Sequence, residues 1–245
     1  MRALVFAFAV LLLPGSAWAA TWDDCKQEKN LDLAIRSCTY IVKNTKETKK
    51  NRALAFFHRG MAHADKRQYD DAIADYTEAV KLNPNHAPSY NNRGATYEKQ
   101  GDNAKALADY SKAIQAQPNY VVAYSNRCWS YYLVRDFTHA LPDCTKALTL
   151  APKNSHALDS RCAVYVGQKK YDLAIADCNK AITLDASYGY PYFNRGDALY
   201  HKGQAKAALA DYKMAQRLIP KSNADYQAKI QNRIRDIQAN KPAAP

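Results

Sequence analysis

The chain repeats itself every 34 residues, and that period excludes most folds before composition is considered. Arg59, Arg93, Arg127, Arg161 and Arg195 stand in one register, followed by Gly60, Gly94, Cys128, Cys162 and Gly196. Ala72, Ala106, Ala140, Ala174 and Ala208 form another column, as do Ala79, Ala113, Ala147, Ala181 and Ala215. Asp75, Asp109, Asp143, Asp177 and Asp211 keep the same spacing. Pro84, Pro118, Pro152 and Pro220 do so too, with Ala186 as the exception. Five units, 53–86, 87–120, 121–154, 155–188 and 189–222, fill the body of the chain.

Each unit reads as two helices. In 87–120, Pro88 opens a helix carrying Tyr90, Gly94 and Tyr97, and Gly101-Asp102 breaks it. Ala106, Tyr110 and Ala113 then mark the inner face of a second helix, which Pro118 stops. One such pair cannot cover its own apolar face, so the stack of pairs is the core. The aromatic content fits this reading. Tyr outnumbers Phe 18 to 6, and a phenol buries its ring at a helix interface while wetting its hydroxyl.

The unit Tyr90, Gly94, Tyr97, Ala106, Tyr110, Ala113, Pro118 resembles the tetratricopeptide repeat. The resemblance implies an all-α fold, a right-handed α-solenoid of antiparallel helix pairs. Departures are local: Cys replaces the Gly and the second-helix aromatic in units 121–154 and 155–188. Upstream, 20–52 reads as a degenerate repeat and basic connector, since Leu31–Cys38 echoes Tyr171–Cys178. Downstream, 223–240 reads as a capping helix with Ile230, Ile234 and Ile237 toward the last repeat, and 241–245 as a frayed tail.

Residues 1–19 read as a cleavable secretory signal. Arg2 precedes an apolar run from Ala3 to Leu13, and Ala17-Trp18-Ala19 supplies the small-x-small cleavage triplet. The alternative for the same run is a buried N-terminal helix. No apolar run reaches 18 residues, so no transmembrane segment is expected. The chain is therefore placed in the bacterial periplasm or secreted, soluble after cleavage. The absence of an N-x-[ST] sequon among 16 Asn leans the same way.

Export makes oxidation of the six cysteines the expectation. Cys128 and Cys144 bracket one helix turn evenly, as do Cys162 and Cys178, and Cys25 and Cys38 flank Leu31-Asp32 similarly. Of 15 possible connectivities, the hairpin geometry favours these three pairs. The rival reading, metal or thiol redox chemistry, lacks a C-x-x-C and any His at ligand spacing.

In the repeat family that these residues resemble, the first helices line a concave face that holds extended peptides or partner helices. His58, Asn92, Asn126, Ser160 and Asn194 precede the Arg column and would face that groove. A row of Asn can bracket a peptide backbone or bond helix to helix. Trp129, with Tyr132 one turn on, is the best aromatic anchor, although Trp129 could equally pack between repeats. Tyr200 shares the column of Tyr132. No cation occupies the groove columns Asn91, Asn92, Ser125, Asn126, Phe193 and Asn194, so a carboxylate clamp is not expected. The Arg and Asp columns suit an alternating ion-pair ladder between packed helices.

The net charge is +12, and it is uneven. Between 43 and 67 stand eight Lys or Arg against Glu47 and Asp65. Lys43, Lys46, Lys49, Lys50 and Arg52 form a basic patch that contacts an anionic envelope surface or acidic partner, or is a solvated connector. Nucleic acid is a poor partner, since no nucleic-acid-binding motif is present. G-x-S-x-G, H-E-x-x-H and Gly-rich loops are absent, so no enzyme, cofactor or metal is expected. Two functions remain: an adaptor that binds proteins or peptides in its groove, and an assembly module using its end caps or basic connector. Fold alone does not choose between them.

Overall fold

The computed structural model describes residues 21–239; the expected signal and the tail lie outside the described residues. The described residues form thirteen helices and no strand. A short α1 (Trp22–Lys26) and α2 (Leu31–Lys43) precede five helix pairs. The first helices of the pairs are α3 (Lys49–Asp65), α5 (Ala87–Lys99), α7 (Val121–Leu133), α9 (Ser155–Gly167) and α11 (Tyr190–His201). The second helices are α4 (Tyr69–Leu82), α6 (Asn103–Ala116), α8 (Phe137–Leu150), α10 (Tyr171–Leu184) and α12 (Ala205–Leu218). Each helix packs on the next, and α13 (Ala224–Gln238) closes the stack against α12. First helices also approach one another, α7 with α9 and α9 with α11, which makes them the inner layer of an α-solenoid.

The turns follow from local chemistry. Asp102, Asp136 and Asn154 accept backbone N–H bonds at the starts of α6, α8 and α9, satisfying amides that the helix leaves unpaired. Gly101 ends α5 at φ 82°, where the left-handed region suits glycine. Arg67, Arg135 and Lys169 hold the equivalent position at φ 60–61°, at about 1 kcal/mol of backbone strain each. The basic connector differs from expectation. Thr48 caps α3 by accepting from the Asn51 N–H, and Lys49, Lys50 and Arg52 wind into the first turn of that helix.

Within each pair the helices nearly touch. A Cβ on Gly60 would stand 2.8 Å from the Tyr76 ring, on Gly94 3.0 Å from Tyr110, and on Gly196 2.8 Å from Tyr212. In the third and fourth pairs, disulfides Cys128–Cys144 and Cys162–Cys178 take that place, with Cα separations of 5.4 and 5.6 Å. A third, Cys25–Cys38, ties α1 to α2 at 4.8 Å. All six cysteines are buried.

The Arg and Asp columns pair inside each unit: Arg59–Asp75, Arg93–Asp109, Arg127–Asp143, Arg161–Asp177 and Arg195–Asp211, all at 2.6–2.7 Å. The ladder does not alternate ion pairs between units. The outer guanidinium nitrogen instead donates to the preceding pair, from Arg93 to Thr77 and from Arg127 to Ser111 at 2.9 Å, and from Arg195 to Asn179 at 2.6 Å. The Asp carboxylates are buried, so removing the Arg partner strands a buried charge and costs about 3–5 kcal/mol.

The two solutions to the helix–helix contact should be interchangeable. Gly94→Cys alone should lower stability by roughly 1–3 kcal/mol, because its Cβ meets the Tyr110 ring. Gly94→Cys with Tyr110→Cys should close a fourth disulfide, read as loss of thiol labelling in non-reduced mass spectra. Persisting free thiols in the double variant would refute the equivalence.

Candidate functional site: the inner groove

The first helices and α13 enclose a trough of three connected recesses. The first, about 480 Å³, is bordered by Glu98, Asn126, Trp129, Asp159, Ser160, Tyr188, Tyr190 and Tyr226. The second, about 400 Å³, lies across Trp129 and adds Tyr132, Phe193, Asp197 and Arg233. The third, about 390 Å³, continues past Tyr132 to Arg135, Lys169, Tyr171 and His201. Trp129 stacks on Tyr132, ring centres 5.0 Å apart, and forms the ridge between the first two recesses. Position explains the pair: three residues apart on α7, they lie on one helix face.

The Asn row divides. Asn126 Nδ2 donates to Asn91 Oδ1 at 3.0 Å, and Asn194 Nδ2 to Asp159 Oδ1 at 2.8 Å, so both bond the neighbouring first helix. Asn194 is only 4% exposed and is taken up by that contact, whereas Asn126 also borders the first recess. Asn92 accepts from the Asn91 amide. His58 sits apart, beside Cys25 and Met61 where α1 covers the groove's N-terminal end, and burial holds its imidazole below the ordinary range. Tyr200 and Ser160 are both buried. Lys43, Lys46, Lys49 and Lys50 are exposed and remote from the trough, while Arg52 Nε is bonded to the Val42 carbonyl.

Sequence reasoning missed Asp159, although it is the one charged member of the column Phe57, Asn91, Ser125, Asp159, Phe193. It is 3% exposed, at the floor of the first recess. It accepts from Asn194 and from the Tyr188 hydroxyl at 3.1 Å, and no cation pairs with it among the described residues. Burial pushes its carboxyl up to about 7, and those two hydrogen bonds only partly oppose the shift. Glu98, bonded by the Ser130 hydroxyl, is raised by burial too. The tyrosines around them form a connected set: Tyr188 lies 5.4 Å from Tyr190, and Tyr190 meets Tyr226 edge to face at 4.9 Å. Tyr188 stands in the connection after α10, two residues past Ala186, where Tyr120 stands past Pro118.

The far end of the trough has the opposite character. Arg135, Lys169, Lys229 and Arg233 border the third recess against Asp197 alone. Asp197 is already engaged by Arg233 Nε at 2.9 Å and the Tyr212 hydroxyl at 2.6 Å. The trough thus runs from buried Asp159 and half-buried Glu98 to a set of mostly exposed cations. Among the described residues no His, Cys, Asp or Glu cluster is arranged to hold a metal ion, and no helix is long and apolar enough to cross a membrane.

This architecture, pairs of helices stacked around an inner groove, defines a helical-repeat scaffold. A sequence model of the tetratricopeptide repeat matches residues 52–121 and 164–223, more than half of the chain, which belongs to that family. The unmatched stretch between them holds the unit where Cys128 and Cys144 replace the Gly and the aromatic. Among solved structures, a thermophilic repeat protein of Thermus thermophilus is similar at 20% identity. Its TM-score is 0.63, over 74% of this chain and 98% of that one. YrrB, described as a repeat protein with an unusual peptide-binding site, is similar at 17% identity and a TM-score of 0.59, over 81% and 99%. The pilF protein of Pseudomonas aeruginosa follows at 15% identity and 0.64, over 80% and 100%. Likeness at these identities concerns the fold. No curated protein matches the sequence.

The Asp159 environment has a measurable consequence. Its native pKa, about 7, lies above the ordinary 3.8, so the folded protein keeps a proton that the unfolded chain has released. The resulting stability is fully present below about pH 4 and is lost as pH rises through about 7. Asp159→Asn keeps an acceptor for Asn194 and removes that dependence. Relative to wild type, the variant should gain stability between pH 4 and pH 8, on the order of a few kcal/mol. Thermal melts at both pH values check this; a pH-independent difference would contradict it.

Proposed function

We propose that the protein is a non-catalytic adaptor, exported to the periplasm or secreted, that binds a protein or peptide partner in its inner groove. The observation that carries this reading is the Trp129–Tyr132 stack, half-buried between two recesses. Large aromatics beside a cavity are the usual anchors of a protein interface. The peptide-binding site described for YrrB supports the same use of the fold. Three buried disulfides suit an oxidising compartment, and the expected signal segment agrees with it.

The second reading, an assembly module acting through its basic connector, draws on the exposure of Lys43, Lys46, Lys49 and Lys50 at the array's N-terminal end. Deleting α13 would not separate the two, because Tyr226 and Arg233 belong to the groove wall. Crosslinking and pull-down from the native compartment should therefore compare Trp129→Ala with a variant carrying Gln at those four lysines. The groove reading expects Trp129→Ala to weaken capture about tenfold or more without lowering the melting temperature. Normal capture by Trp129→Ala, with capture lost in the Gln variant, would replace it with the assembly reading.

A further inference from the structure

We propose that the first recess seats the ammonium head of a lysine side chain from the bound partner, with Asp159 as its counter-ion and Trp129, Tyr190 and Tyr226 around its stem. The inference rests on the groove reading above and gives that groove a chemical preference. Asp159 is a buried carboxylate whose two hydrogen bonds come from neutral donors, Asn194 and Tyr188. An ionised carboxylate has about four acceptor positions, so capacity for a cationic donor remains. Burying such a charge without a cation is unfavourable, and an incoming ammonium relieves that condition.

The walls match the same ligand. The recess has room for a long side chain at about 480 Å³. Its aromatic faces attract cations electrostatically, and the methylene stem of lysine packs on apolar surface while the head stays polar. The charged groups facing the recess are few. Helix α5 supplies Glu98 and the exposed Lys99, and α9 supplies Asp159 and the exposed His156. The walls from α7, α11 and α13, and the segment before α11, contribute neutral Trp129, Tyr190, Tyr226, Asn223 and Tyr188. Glu98 adds a second, half-buried carboxylate, and its Ser130 partner is neutral. The preference is local: the chain as a whole is at +12, but physiological salt screens distant charges beyond about 8 Å.

The test uses the full-length processed chain and a blocked pentapeptide, Ala-Ala-Lys-Ala-Ala, followed through the Trp129 indole N–H resonance. The lysine peptide should bind at pH 8 at least about tenfold more tightly than versions with norleucine or Nε-acetyl-lysine. Asp159→Asn, shown folded by its melting curve, should lose about the same factor. Affinity should rise with pH as Asp159 ionises, and that rise should be smaller in Asp159→Asn. Tyr188→Phe removes a hydrogen bond that favours the carboxylate, so it should move the midpoint of the pH profile upward. Equal binding of the norleucine peptide, or an unchanged affinity in Asp159→Asn, would overturn the proposal. If partner capture still depended on Trp129 in that case, the groove reading would stand without it.

Discussion

The approach of two helices within a unit sets the geometry of everything else. At Gly60, Gly94 and Gly196 a missing side chain lets a tyrosine ring from the second helix fill the gap, so close that an added Cβ would collide. At Cys128–Cys144 and Cys162–Cys178 two small sulfur side chains fill the same gap by bonding to each other. Both choices keep the backbones near and the interface full, as close packing requires. They differ in what happens when the unit is stressed. A Gly–Tyr contact can open, whereas a disulfide holds its two helices together in the unfolded chain as well. The covalent version sits in the two units whose first helices carry Trp129 and Asp159, next to the recesses. A site on helices that cannot separate loses less freedom when it binds.

The buried Arg–Asp pairs act on a different axis. Each bidentate pair fixes how the second helix is turned against the first, and in the second unit the same guanidinium reaches a hydroxyl of the preceding one. The charge is thus confined to one unit, and neutral partners receive the bonds that cross between units on that side. The inner side has its own crossing bonds, Asn126 to Asn91 and Asn194 to Asp159, which repeat the same 35-residue step. In the second of these the acceptor is a carboxylate rather than an amide. The array therefore keeps its hydrogen-bond geometry at Asp159 while changing the charge there.

The period made the fold legible. Columns of Gly, Ala, Asp and Pro specify which faces touch, and nearest-neighbour contacts are all a stacked repeat needs. The Arg column was legible as ion pairing but not in its partner choice, because spacing alone does not distinguish a carboxylate in the same unit from one in the next. The groove was legible only in part. Trp129 and Tyr132 stood out by residue type, and both line recesses. Asn194 has the right type and column, yet its amide is consumed by Asp159 on the preceding first helix, a pairing that residue type does not reveal. Tyr226 could not be placed on the groove from its sequence, because the cap lacks a second helix to define its register. Asp159 stands in the same 34-residue register, as the one charged member of a column of Phe, Asn and Ser.

Those departures cluster in one part of the array. Asp159 is desolvated without a cation, where Asn91 and Ser125 show that a neutral residue fits the same column. Arg135 and Lys169, like Arg67 in the first unit, hold left-handed backbone where Gly101 and Gly203 hold it without strain. Ala186 replaces the helix-stopping proline, and Tyr188, two residues on, donates to Asp159. Each of these is a less stable choice than one the chain itself uses elsewhere. Apart from Arg67 they fall in the third and fourth units, around one trough, and it is there that two of the disulfides supply additional constraint. Strained or desolvated groups persist where the surrounding structure holds them and a task requires them.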